Sequence, residues 1–131
     1  MSIRIMQLGS ARRADEGLRI GTVRRPPRGV PKGEFAKRNY YDTWLPVLSP
    51  SIELMKQGQL AQDRGDAKIW AAFERGFRAQ MKQPDAAHTL DLLAALSHQT
   101  NFSLGCYCEN EQRCHRSILR ALLLERNAEV M

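Results

Sequence analysis

The stretch Phe102-Ser103-Leu104-Gly105-Cys106-Tyr107-Cys108-Glu109-Asn110-Glu111-Gln112-Arg113-Cys114-His115-Arg116-Ser117-Ile118-Leu119 decides how the rest of the chain is read. Its first six residues are a short apolar, β-prone run behind a turn-like Thr100-Asn101. From about Cys114, the spacing of Ile118, Leu119, Leu122 and Leu123 predicts a closing helix. A strand therefore feeds a loop, and the loop feeds a helix.

Working outward, Ile3 to Leu8 and Leu18 to Val23 alternate in the two-residue period of half-buried strands, with polar Ser10 to Gly17 between them as a surface loop. Arg24-Arg25-Pro26-Pro27-Arg28-Gly29-Val30-Pro31 follows. Its prolines lack backbone donors and hold their predecessors extended, so it is a stiff basic loop. Ser49-Pro50 reads as an N-cap with proline at the first helical position, opening a helix with Ile52, Leu54, Met55 and Leu60 that weakens near Gly58. Over Asp66 to Lys82, the positions Ile69, Trp70, Phe73, Phe77 and Met81 lie on one helical face, an aromatic stripe read as core. Pro84-Asp85 starts another helix, with Leu90, Leu93, Ala94 and Leu96, that runs to about His98. Strands towards both ends with helices between them predict an α/β fold, since parallel strands need long crossovers that cover the sheet.

A length of 131 residues with 43% apolar content suits one domain, 1–131, with a core that needs no disulfide staples. The longest apolar run, Leu92 to Leu96, is far below the roughly 20 residues that cross a bilayer. Without a secretory pattern at Met1 to Ile5, the expected location is cytoplasmic, where the three cysteines stay thiols. Charge is uneven: residues 1–38 hold ten Lys and Arg against three Asp and Glu, whereas 39–131 hold ten against eleven. One electropositive surface follows, able to attract phosphates or carboxylates.

In sheets of this kind, ligands bind beyond the carboxyl ends of the strands. Two unusual loops lie there, Arg24 to Lys32 and Cys108 to Arg116, and they share a cleft if their strands are parallel neighbours. Cys106 and Cys108, two apart, can present thiols side by side, with Cys114 at the start of the last helix. Free N–H groups and partial positive charge there lower a thiol pKa, which makes Cys114 the candidate thiolate. His115 is a candidate proton carrier, and Cys108 joins these two in the candidate catalytic set. Arg116 and Ser117 add an anion clamp and a hydroxyl near the same turn, and Arg24, Arg25 and Arg28 can close from the other loop. Tyr40, Tyr41 and Trp44 offer either a stacking surface or a packed cleft wall, and Tyr41 is counted with the ligand-binding candidates.

Gly21-Thr22-Val23-Arg24-Arg25-Pro26-Pro27-Arg28-Gly29-Val30, Tyr41-Asp42-Thr43-Trp44-Leu45-Pro46 and Cys106-Tyr107-Cys108 to Cys114-His115-Arg116-Ser117, in that order, resemble the family called domain of unknown function 488 over nearly the whole chain. The resemblance implies a Rossmann-like, three-layer α/β/α fold, with a small mostly parallel sheet flanked by four to five helices. It brings no established catalytic residues and no cofactor.

Three functions follow from these residues. The first is an enzyme acting on a nucleotide or other phosphate-bearing small anion, bound by the arginines, with Cys114 or His115 doing covalent or proton-transfer chemistry. The phosphatase spacing of six from cysteine to arginine is not matched, because Cys108 to Arg113 is five and Cys108 to Arg116 is eight. The second is a zinc or iron site of Cys106, Cys108, Cys114 and His115, which the adjacency of Cys114 and His115 disfavours. The third is a nucleic-acid binder using the basic loop and the aromatics.

Overall fold

A computed structural model describes residues 1–131. Its strands are β1 (Ile3–Gln7), β2 (Leu18–Gly21), β3 (Thr43–Trp44) and β4 (Phe102–Cys106), and its helices are α1 (Ile52–Arg64), α2 (Ala67–Met81), α3 (Pro84–Leu96) and α4 (His115–Leu124). The four strands form one parallel sheet in the order β1-β4-β2-β3. The fold is therefore α/β, and the last strand in sequence pairs with both β1 and β2.

Parallel register aligns the alternating positions of neighbouring strands. Ile3 and Ile5 lie beside Phe102 and Leu104, and Ile20 lies beside Leu104 from the other side. This face carries the main core, built with Phe73, Phe77 and Met81 of α2, Leu90 and Leu93 of α3, and Ile118, Leu119, Leu122 and Leu123 of α4. Burial of such side chains contributes about 1.5–3 kcal/mol each. On the opposite face, Arg19, Gly21, Ser103 and Gly105 look into loops instead of helices. A Cβ at Gly21 would fall 2.4 Å from the Tyr41 ring, and Arg19 bonds the carbonyls of Ser10 and Asn39. The layer expected to be helical there is built from connecting loops, because the β1–β2 and β2–β3 connections contain no α-helix.

The start of α1 differs from the sequence reading. The Ser49 hydroxyl donates to the Pro46 carbonyl, Pro50 stays outside the helix, and Ser51 is the N-cap, accepting from Leu54 N–H at 3.2 Å. Nor does the helix fail at Gly58: it continues to Arg64 and ends at Gly65 in the left-handed conformation (φ 59°). A Cβ at Gly58 would sit 3.1 Å from the Phe73 ring, so the glycine lets α1 lie close against α2. Asp66 caps α2 through the N–H groups of Lys68 and Ile69. No helix is long and apolar enough to cross a membrane.

Candidate functional site

Because β2 and β4 are parallel neighbours, the loops leaving them do meet at one end of the sheet. They and α1 enclose a cleft of about 240 Å3. Arg24, Arg25 and Arg113 line it together with Gln59 and Gln62, Val23, Met55 and Phe73 form apolar wall, and no Asp or Glu lines it. Cys106, Cys108, Cys114 and His115 lie along one side.

The basic loop is held in shape by bonds at both ends. Arg24 donates through Nε to the Pro50 carbonyl and through Nη2 to that of Ser49, which ties the loop to the start of α1. Trp44 Nε1 donates to the Val23 carbonyl at 2.6 Å, and the Tyr107 hydroxyl donates to that of Arg25 at 2.9 Å. Arg25 itself is exposed at the rim.

Opposite this loop, β4 ends at Cys106, so its alternation does not extend to Cys108. The 3-10 turn Glu111–Arg113 brings the chain back, and Cys114 becomes the N-cap of α4. Arg120 grips both Glu111 oxygens, at 2.7 and 3.0 Å, and so clamps the turn to α4. The close partner of Cys106 is consequently Cys114: their Sγ atoms are 2.6 Å apart, both buried, and Cys108 packs against them half-exposed.

His115 completes the cluster. Its Nε2 lies 2.7 Å from the Thr22 carbonyl, an acceptor, so Nε2 carries the proton and Nδ1 is left with a lone pair 3.6 Å from Cys114 Sγ. The Thr22 hydroxyl donates to the Gly105 carbonyl, which fixes this residue against β4. Burial lowers the His115 pKa to about 4, so the ring is neutral near pH 7 and accepts a hydrogen bond.

The sulfurs of Cys106 and Cys108 pull the Cys114 thiol well below its ordinary range, with the Arg116 charge helping and burial opposing. Cys106 moves the other way, pushed up by Cys108, Cys114 and its own burial. Proton sharing among neighbouring sulfurs therefore outweighs the helix end that the sequence argument relied on.

Several sequence-picked residues sit elsewhere. Arg28 is exposed and outside the cleft lining. Arg116 is buried behind the cysteines, its Nη2 donating to the Cys108 carbonyl at 2.6 Å. The Ser117 hydroxyl donates back to the Cys114 carbonyl. Tyr41 is buried against Gly21, its ring 5.2 Å from Phe35 and its hydroxyl without a partner. Adjacency does not keep Cys114 and His115 apart, since donor atoms of Cys106, Cys114 and His115 all fall within 4.8 Å of one another.

Three contributors escaped the sequence reading. Gln62 of α1 donates to the Arg113 carbonyl at 2.5 Å and lies 3.8 Å from Cys108 Sγ. The Arg113 guanidinium sits 5.8 Å from the centre of the Trp70 ring, on the cleft wall. Thr22 acts through a backbone carbonyl, which has no residue-type signature.

Residues 3–127 match the family model DUF488-N3a, described as the active DUF488-N3 subclade. No curated protein matches the chain. No solved structure matches it either.

Proposed function

The chain belongs to the DUF488 family, and we propose that it is an enzyme in which Cys114 sulfur bonds to a nucleotide or other phosphate-bearing ligand held in the cleft while the bond to that ligand's leaving group breaks. The observation that carries this is the placement of Cys114 Sγ, between Cys106 Sγ at 2.6 Å and the His115 Nδ1 lone pair at 3.6 Å, in a cleft with three arginines and no carboxylate. A thiolate is the reactive form of cysteine, and neighbours that lower a thiol pKa raise its population at neutral pH. His115, neutral and fixed by Thr22, takes up or returns the thiol proton. Arg25 and Arg113 supply cationic groups for phosphate oxygens, while Val23, Met55 and Phe73 provide apolar contact for the remainder. The description of the matched subclade as active supports an enzyme over a binding module.

The test is site-resolved alkylation by iodoacetamide across pH, with and without nucleoside mono-, di- and triphosphates. Cys114 is expected to react as a thiolate well below the ordinary midpoint of about 8.5, and a nucleotide is expected to protect it. An ordinary midpoint with no protection by any nucleotide would overturn the reading.

The metal alternative has the 4.8 Å cluster in its favour. Two thiolates on one zinc ion, each about 2.3 Å from it in a tetrahedral site, need their sulfurs farther apart than 2.6 Å. The two sulfurs as placed therefore stand too close together to be joint ligands of one zinc ion. For nucleic acid, the buried Tyr41 and the tethered Trp44 leave less free ring surface for stacking than their sequence positions promised.

A further inference from the structure

A nucleophile needs one sulfur, yet the site holds three at graded depth. Cys106 and Cys114 are almost fully buried, while Cys108 is half-exposed on the cleft wall. With Sγ atoms 2.6 Å apart, Cys106 and Cys114 can bond after a small side-chain shift and no large backbone movement. They belong to the end of β4 and the cap of α4, elements held in place by the sheet and by the Glu111–Arg120 clamp. The cleft they face presents Arg24, Arg25 and Arg113 and no acidic side chain.

We propose that Cys106 and Cys114 are a redox pair that reduces a small acidic disulfide, with Cys114 as the attacking sulfur and Cys106 as the resolving one. This rests on the same nucleophilic Cys114 and the same cationic cleft as the phosphate reading. In the first step Cys114 sulfur bonds to one sulfur of the substrate, the substrate S–S bond breaks, and one thiolate leaves and is protonated by solvent. Cys106 then loses its proton to solvent, and its sulfur attacks Cys114 sulfur. The bond between Cys114 sulfur and the substrate sulfur breaks, the second thiolate leaves and takes up a proton, and the Cys106–Cys114 disulfide remains. Two electrons pass from the protein pair to the substrate, which becomes two thiols. An external dithiol returns the protein to its reduced form.

The test mixes the reduced full chain with glutathione disulfide, which is acidic, and separately with cystamine, which is cationic, and maps the products by peptide mass spectrometry. The expected product is an intramolecular Cys106–Cys114 link, formed at least about 10-fold faster from glutathione disulfide, because a cationic cleft concentrates anions. Cys106→Ser is expected to stop at a glutathione adduct on Cys114. Should that variant not fold, the wild-type map still decides, since it shows directly which two cysteines are linked. A link through Cys108, no link at all, or equal rates with the two reagents would overturn the proposal. Fast alkylation of Cys114 without a link removes this inference alone, whereas slow alkylation removes the nucleophile reading as well.

Discussion

Two arginines are buried in this small protein, Arg19 at 1% exposure and Arg116 at 3%, and they are held in opposite ways. Every N–H direction of Arg19 is answered. Nε and Nη2 bond the two Glu16 oxygens at 3.1 and 2.7 Å, Nη1 reaches the carbonyls of Ser10 and Asn39, and Nη2 also meets that of Ala11. Ser103 completes the network by donating to Glu16. Arg116 bonds the Cys108 carbonyl, leaves Nε without a partner, and has no carboxylate on it. Its charge lies instead beside the sulfurs of Cys106 and Cys114. A closed network of this kind is architecture, whereas a buried cation beside thiols favours their ionised form.

The contrast is broken most directly at Arg19. Arg19→Met leaves Glu16 buried without its counter-charge, and a loss of about 3–5 kcal/mol of folding free energy is expected in urea unfolding. A cost below about 1 kcal/mol would place Arg19 among ordinary surface pairs. Arg116→Met abandons fewer partners, so the expected stability loss is smaller, about 1–2 kcal/mol. Its signature is chemical: the pH midpoint of Cys114 alkylation should rise by about one unit, a tenfold change in the acid dissociation constant. If both variants lost the same stability and Cys114 reacted unchanged, the two arginines would be doing the same job.

A third effect is read in acid. Burial lowers the His115 pKa from 6.5 to about 4, so the stability it contributes is complete above pH 6.5 and is lost as pH falls towards 4. Burial pushes Glu16 up, but hydrogen bonds from Arg19, the Arg13 N–H and Ser103 outweigh it and hold the carboxyl below 4.5. Its contribution is therefore present above pH 4.5 and lost below. Thermal melts from pH 7 to pH 3 should show a first decline that His115→Gln removes and a later one that Glu16→Gln removes. Profiles of both variants that parallel the wild type throughout would sink this assignment.

Much of this arrangement was legible in advance, and the exceptions have physical reasons. β1, β2, β4 and α2 to α4 carry clear periodicity or caps, and the meeting of the two loops followed once β2 and β4 were taken as parallel neighbours. β3 was not foreseen, because two exposed residues at a sheet edge cannot display alternation. The pairing of Cys106 with Cys114 over Cys108 depends on where β4 stops and the 3-10 turn begins, which one-residue shifts in the sequence pattern do not resolve. Arg24 lines the cleft and Arg116 lies behind the cysteines, and the carbonyls that engage both are visible only in three dimensions. Gln62 arrives from a helix whose sequence distance from the cysteines gives no hint of contact.

The sheet order also bears on when the cysteine cluster forms as the chain is made. β1 and β2 are not neighbours, and the strand that joins them, β4, is made only after α1, α2 and α3. Pairing Ile3 with Phe102 is a long loop closure, costly until the central strand exists. Thr22 can hold His115, and Arg116 can lie against the sulfurs, only once that strand and α4 are in place. All three cysteines lie at the end of β4 or beyond it, so the cluster they form with His115 assembles only as the fold is completed.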